Sequence, residues 1–299
     1  MANLTLGPKV RKPLHLHDRT LKKLEQKAAE IREDIIDMLV EAGSGHSAGP
    51  LGMTDIFTAL YFHILEHDPK NPTWKQRDRL ILSNGHICPV RYVTMAHAGY
   101  FPKKELMTLR KLGTRLQGHP EVALMEALET TSGPLGEGIA QAVGIAYAGL
   151  MDQAPWRVYC VTGDGELDEG IVWEAFQFAG ANKLFNLTFI VDRNNIQIDG
   201  PTESIMPLES LVAKLEAFNF NVIRCAGNSI RDFVNAVEHA QGISEKCTVI
   251  IADTIPGYGV DFMEFDFTWH GKPPAAGTES VSAINKLRTL AGRIRSEHE

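Results

Sequence analysis

The stretch from Arg157 to Asn195 constrains this chain more than any other. Arg157-Val-Tyr-Cys-Val-Thr162 reads as a short buried strand running into Gly163-Asp164-Gly165. Asp168 to Gly180 reads as a helix with Ile171, Ala175, Phe178 and Ala179 on one face. Leu187-Thr-Phe-Ile-Val191 reads as the next strand, ending just before Asn194-Asn195. This is a β-α-β unit, and it puts a carboxylate and an amide at the carboxyl ends of two strands, where open α/β sheets bind ligands. Magnesium is a hard cation that takes oxygen ligands, often shared with phosphate. Asp164 offers a carboxylate oxygen, Asn194 an amide oxygen and Ile196 its backbone carbonyl, while Gly163 and Gly165 let the backbone approach a diphosphate. A Gly-Asp-Gly alone is also an ordinary turn. The amide at the end of the following strand favours the ligand reading.

The remaining chain repeats the same alternation. Residues 1–17, rich in basic residues, His and Pro, read as a loosely attached arm, and residues 18–299 as a single domain. Leu21 to Ala42 has helical spacing, with Asp18 or Thr20 as candidate caps. Gly43 to Pro50 breaks it, and Thr54 to Leu65 forms a second helix. Arg79 to Ser83 is a buried strand ending in Asn84-Gly85-His86, followed by helices over Val90 to Ala98 and Leu106 to Leu112. Thr131-Ser-Gly-Pro-Leu-Gly-Glu-Gly138 opens an Ala/Gly-rich helix, Ile139 to Met151, whose composition predicts close packing and burial. Strands over Asn221 to Cys225 and Thr248 to Ala252 flank a helix over Ser229 to Gln241, and Ser280 to Ser296 closes the chain. The fold class that follows is α/β: a doubly wound, mostly parallel sheet flanked by helices.

Composition narrows the function class. The chain has 299 residues, 44% hydrophobic and 22% charged, the profile of an ordinary soluble domain. A net charge of -7 argues against a nucleic-acid-binding surface. The four cysteines, Cys88, Cys160, Cys225 and Cys247, lack metal-ligand spacing and read as core residues of a reducing compartment. No signal-peptide core or transmembrane-length apolar run is present, so no membrane partner is expected and the cytoplasm is the expected location.

His46, His86 and His119 each follow a glycine at loop positions, and His270 sits in a fourth loop, Trp269 to Pro274; the other seven histidines have no such context. With these loops in view, the sequence closely resembles the thiamine-diphosphate-binding half of transketolases, from about Ala29 to about Pro274. The matching stretches are Ser44-Gly45-His46 with Pro50-Leu51-Gly52-Met53; Leu82-Ser83-Asn84-Gly85-His86; Gly118-His119-Pro120-Glu121; Thr131-Ser132-Gly133-Pro134-Leu135-Gly136; Gly163-Asp164-Gly165; Asn194 with Ile196 to Gly200; and Gly257-Tyr258-Gly259 before His270-Gly271. The resemblance implies thiamine diphosphate and Mg2+ (or Ca2+ or Mn2+) as cofactors, with Asp164, Asn194 and the Ile196 carbonyl on the metal. It implies that Gly165, His86 and His270 hold the diphosphate, that the Gly133-Pro134-Leu135 backbone lines the cofactor rings, and that His46, His119 and His270 contact substrate hydroxyls. Glu169 and Glu174 match acidic positions near the family's subunit interface. The implied reaction is transfer of a two-carbon ketol unit from a ketose phosphate to an aldose phosphate. Imidazole suits the proton transfers because its pKa lies near neutrality.

Full-length transketolases carry a second, pyrimidine-binding domain with the glutamate that activates the cofactor. The expectation is therefore an N-terminal subunit of a split transketolase, inactive alone, completed by a C-terminal transketolase subunit, as an α2β2 assembly. Departures from the family pattern at Ser47-Ala48-Gly49-Pro50 and over Val122 to Leu128 bear on the donor sugar. The rival readings are a subunit resembling 1-deoxyxylulose-5-phosphate synthase, dihydroxyacetone synthase or apulose-phosphate transketolase, an α-ketoacid dehydrogenase E1α subunit, and a non-catalytic cofactor-binding module.

Overall fold

The computed structural model describes residues 13–297. Five strands form one parallel sheet: β1 (Arg79–Leu82), β2 (Val158–Gly163), β3 (Leu187–Arg193), β6 (Asn221–Ala226) and β7 (Thr248–Asp253), in the order β1-β2-β3-β7-β6. The short β4 (Ile196–Gln197) and β5 (Gly200–Pro201) pair antiparallel as a separate hairpin just beyond β3. The helices are α1 (Asp18–Ala42), α2 (Ala48–Gly52), α3 (Thr54–Ala59), α4 (Cys88–Ala98), α5 (Glu137–Met151), α6 (Gly170–Ala181), α7 (Thr202–Ile205), α8 (Leu211–Ala217), α9 (Ile230–Gly242) and α10 (Thr278–Ser296).

The strand side chains alternate between two cores, as period-two geometry requires. Cys160, Phe189, Val191, Val249 and Ile251 face the layer of α5, α6 and α8. Tyr159, Val161, Ile190, Ile250 and Ala252 face α1, α3, α4 and α9. With both faces covered, the strands are almost wholly apolar, as parallel sheets demand. Phe176, Phe189 and Phe220 meet edge to face, with ring centroids 5.0–6.0 Å apart, and each such pair adds about 0.5–1.5 kcal/mol beyond area burial. Helix α6 approaches the Phe218 backbone so closely at Gly180 that a Cβ there would lie 1.8 Å from the Phe218 carbonyl oxygen.

Several local expectations change. His17, not Asp18 or Thr20, is the N-cap of α1, and its side chain makes no capping hydrogen bond. Leu106 to Leu112 is not a helix; a 3-10 turn spans Lys103–Thr108, and Arg110 takes a left-handed φ of 59° that no helix continues. On α6 the buried face is Val172, Ala175, Phe176 and Ala179, whereas Phe178 is exposed and stacks edge-on with Tyr147 of α5. Helix α5 is only half buried: Ala142, Ala146 and Gly149 face inward, and Tyr147 and Met151 outward. Small residues occur on both sides of α5, Gly144 and Ala148 being exposed, so an Ala/Gly-rich composition does not tell which side is buried. Residues 13–17 of the predicted arm place Leu14 and Leu16 against the core, and Arg231 donates to the Leu16 carbonyl; residues 1–12 lie outside the described residues.

Candidate active site

The Gly-Asp-Gly turn and the Asn-Asn turn meet at the carboxyl edge of the sheet, because β2 and β3 are neighbours with Gly163 paired to Asp192. Asp164 is buried, and its Oδ2 accepts from the Asn195 N–H (2.7 Å), from Arg193 Nη1 (3.0 Å) and from Thr202 Oγ1 (3.3 Å). Its Oδ1 accepts only from the Gly165 N–H, at 2.8 Å. Asn194 donates through Nδ2 to Asp192 Oδ2 (2.9 Å), and its Oδ1 accepts from the Ile196 N–H (3.0 Å). Asp192 thereby fixes which way the amide faces. Burial and the nearby Asp164 charge raise the Asp192 pKa to about 7, against hydrogen bonds from Thr254 and Asn194 that lower it. Among the described residues no three His, Cys, Asp or Glu side chains gather as a metal site. The expected set fits a hard cation nonetheless, since it offers only oxygens: one carboxylate, one amide and one peptide carbonyl.

Three charged residues around this centre escaped the sequence reading. Arg193 is buried and ties Asp164 to Glu203 and Glu209 in the segment after the β4–β5 hairpin. Glu166, 2% exposed, accepts from Ser83 Oγ and the Gly136 N–H (2.7 Å) on Oε1, and from Thr162 Oγ1 (2.6 Å) and the Gly163 N–H (3.1 Å) on Oε2. One carboxylate so joins the loops after β1, before α5 and after β2. The third is Asp192. A signal existed for Asp192 and Arg193, which continue a fully buried strand without a turn residue; the expected strand end at Val191 hid it.

Three of the four singled-out histidines form one cluster. Ring centroids are 4.8 Å apart for His46 and His86, 5.5 Å for His46 and His270, and 5.2 Å for His86 and His270. Ser47, at one of the departures from the family pattern, explains the long-range pairing. Its Oγ reaches the carbonyls of Trp269 (3.2 Å) and Lys272 (2.6 Å), which holds the His270 loop against His46. His119 stands at the rim: a Cβ on Gly85 would lie 3.3 Å from its ring and one on Gly133 4.0 Å from it. Pro134 and Leu135 project outward, exposed. Three buried polar atoms near these loops have no partner, Asn84 Oδ1, Ser132 Oγ and His270 Nδ1. Buried polar atoms are normally satisfied, so these orphans fit a polar group seated among them.

The histidines are held neutral. Burial, then the charges of His270, His119 and Arg110, pushes the His46 pKa from 6.5 to about 4. Burial and its histidine neighbours hold His86 well below the usual range, and burial lowers His119 and His270. The linkage has a definite sign. Below pH 6.5 the unfolded chain takes up a proton at His46 that the folded chain refuses until about pH 4, so folding stability falls as pH drops through that window. The His46 share is read as a difference: between pH 6.5 and 4, His46→Asn should lose less stability to thermal unfolding than the unmutated chain, and identical losses would show that His46 is not suppressed.

Comparison with known proteins identifies the family of the chain. The family described as "Transketolase, thiamine diphosphate binding domain" matches residues 24–290. A 6-deoxy-6-sulfo-D-fructose transketolase subunit from Clostridium sp. is 40% identical over 83% of this chain and 90% of its own length. One subunit of an apulose-4-phosphate transketolase from Phocaeicola vulgatus is 34% identical over 92% of this chain and 97% of its own. The crystal structure of transketolase from Campylobacter jejuni superposes with a TM-score of 0.82 and 36% identity, over 90% of this chain and 43% of that one. The chain thus spans nearly all of the two subunit relatives and less than half of that transketolase.

Proposed function

The chain belongs to the transketolase family through its thiamine-diphosphate-binding domain, and from that premise we propose that it is the diphosphate-binding subunit of a two-chain transketolase. The observation that carries this reading is the junction of Asp164 with the Asn194-Asn195 turn, through the Asn195 N–H, on the sheet edge that also bears the His46–His86–His270 cluster. Asp164, Asn194 and the Ile196 carbonyl would hold Mg2+, Ca2+ or Mn2+, a choice to which an all-oxygen site is permissive. Gly165, His86 and His270 would hold the diphosphate, and the Gly133-Pro134-Leu135 backbone would line the rings. Thiamine diphosphate, when bound, supplies the carbanion chemistry of the reaction. His46, His119 and His270, neutral near pH 7, would take protons from and return them to substrate hydroxyls. The Ser47 hydroxyl, bonded to the Trp269 and Lys272 carbonyls, would hold His46 and His270 in register.

A partner chain is supported by the two relatives named as subunits, which match this chain almost end to end. It is also supported by the apolar outer faces of α5 and α6, where Tyr147, Met151 and Phe178 are exposed together with Leu135 of the cofactor loop. The occupant we assign to this face is a C-terminal transketolase subunit, as an α2β2 assembly, with the exposed Glu169 and Glu174 at its margin. The four unpaired cysteines fit a cytoplasmic setting. No described helix is long and apolar enough to cross a membrane.

Mixing the chain with its candidate partner, thiamine diphosphate and Mg2+ tests the reading. Xylulose 5-phosphate plus ribose 5-phosphate should turn over only in the mixture. 6-Deoxy-6-sulfofructose and apulose 4-phosphate, the sugars in the relatives' names, serve as alternative donors. Full ketol transfer by the chain alone would overturn the two-chain assignment, and pyruvate decarboxylation without ketol transfer would overturn the reaction.

A further inference from the structure

Residues 255–272 form a strap that carries His270, and its turns are linked in one run. The Tyr258 N–H donates to the Ile255 carbonyl (3.2 Å), Val260 to Gly257 (3.0 Å), Met263 to Val260 (2.8 Å), Asp266 to Met263 (3.2 Å) and Trp269 to Asp266 (3.1 Å), and the His270 N–H donates to Phe267 (2.9 Å). The Phe265 N–H returns to the Pro256 carbonyl (3.3 Å), and Phe262 packs on Trp269 with ring centroids 5.4 Å apart. A loop whose ends are bonded together and whose interior is filled by its own side chains behaves as a compact unit.

The strap is seated on α2, the helix that follows His46 and Ser47. At the start of α2, Ser47 bonds the Trp269 and Lys272 carbonyls. The Gly257 N–H donates to the Ala48 carbonyl at 2.8 Å. At the end of α2 the tie is made by Asn228, which belongs to neither element but to the loop between β6 and α9. Its Oδ1 accepts from the Ile255 N–H (2.7 Å), and its Nδ2 donates to the Gly52 carbonyl (2.8 Å) and to Asp55 Oδ2 (3.4 Å). Those neighbours fix the amide, since an N–H can meet only its oxygen and a carbonyl only its NH2. The loop itself is pinned on both sides of Asn228. The Gly227 N–H donates to the Asp253 carbonyl (2.7 Å), where a Cβ on Gly227 would lie 2.5 Å from Thr254 Cγ2, and Ser229 Oγ caps α9 through the Asp232 N–H (3.2 Å). Asp55 is held in turn by the buried Arg32 of α1, whose guanidinium lies 4.9 Å from the ring centroid of Tyr258 in the strap.

We propose that Asn228 is a positioning residue for the His46–His270 pair. It fixes the first residue of the strap against the end of α2, as Ser47 fixes the last turns against its start. Two anchors hold a compact loop in one register where a single anchor leaves it free to pivot. The part these histidines play in a reaction rests on the ketol-transfer reading; their register does not.

Asn228→Ala removes both bonds and is compared with Asn186→Ala. Asn186 is buried and donates through Nδ2 to the Ala146 carbonyl (2.9 Å), just before β3 at the opposite end of the sheet. Both variants should unfold at lower temperature. Only Asn228→Ala should raise the His46 titration midpoint, followed by NMR of the ring protons, from about 4 by about one unit or more, because a loosened strap admits water to the imidazole. With the partner, thiamine diphosphate and Mg2+ present, only Asn228→Ala should lower kcat, by about tenfold or more. An unchanged His46 midpoint in Asn228→Ala, or equal changes in the two variants, would overturn the proposal. Hydrogen exchange in the unmutated chain decides the matter if Asn228→Ala does not fold. The N–H groups of Ile255, Gly257 and His270 should then open together as one unit, and a His270 N–H that opens separately from Ile255 would overturn the proposal. A histidine response without ketol transfer by the unmutated complex would leave the register role standing and remove the reaction assignment instead.

Discussion

Asp164→Ala is expected to abolish metal-dependent binding of thiamine diphosphate and to destabilise the fold, through two separable causes. The first is ligand loss. Removing a residue that merely supports a metal ligand costs about 10- to 100-fold in affinity, so deleting the carboxylate itself should exceed the upper figure. The second is the fate of Arg193. Its guanidinium is 2% exposed and Asp164 is its buried partner, while Glu203 and Glu209 are more open. Deleting one side of a buried ion pair costs on the order of 3 kcal/mol. Arg193→Gln in the Asp164→Ala background should therefore recover part of the stability and none of the metal binding. Titration calorimetry with Mg2+ and thiamine diphosphate, beside thermal unfolding, reads the two effects independently. Metal affinity near that of the unmutated chain in Asp164→Ala would show that this carboxylate is not a ligand.

Glu166→Ala should loosen the cofactor loops although Glu166 itself is not expected to contact the cofactor. Its carboxylate receives two hydroxyls and two backbone N–H groups, all buried except the half-buried Gly163 N–H. Emptying that position strands the donors at a cost of about 3–5 kcal/mol. Glu166→Gln is the informative variant. Ser83 and Thr162 can reverse their hydroxyls to accept from an amide NH2, but the N–H groups of Gly136 and Gly163 cannot. One of those two must face the new NH2 donor to donor, so Gln should cost less than Ala and still more than nothing. Hydrogen exchange should rise over 132–138 and 83–86 in both variants, with weaker thiamine diphosphate binding. Unchanged exchange in Glu166→Ala would show that these loops hold their shape without the carboxylate.

The β-α alternation, the burial of the sheet on both faces and the positions of its carboxyl ends were legible in the sequence. They follow from local periodicity and from turn residues, which act over a few neighbours. The placing of Asp164 and Asn194 on one sheet edge was legible for the same reason, since each directly follows its own strand. Helix phase was less so: periodicity put Phe178 on the buried face, whereas the core took Phe176. Both aromatics are chemically able to fill the layer, and contact with Phe189 and Phe220 decided between them.

By itself, then, the sequence determined a doubly wound parallel sheet and the residue types available at its ligand edge. Only the tertiary structure decided which of them meet. The His46–His270 contact depends on a single hydroxyl bridging residues 222 and 225 positions apart. The roles of Glu166 and Arg193 depend on loops that converge from separate strands. Burial decided the charge states as well, because removing imidazole from water disfavours its cation. A glycine before a histidine records where a loop is, but desolvation and the neighbouring rings, which set the His46 pKa, exist only once the chain has closed around them.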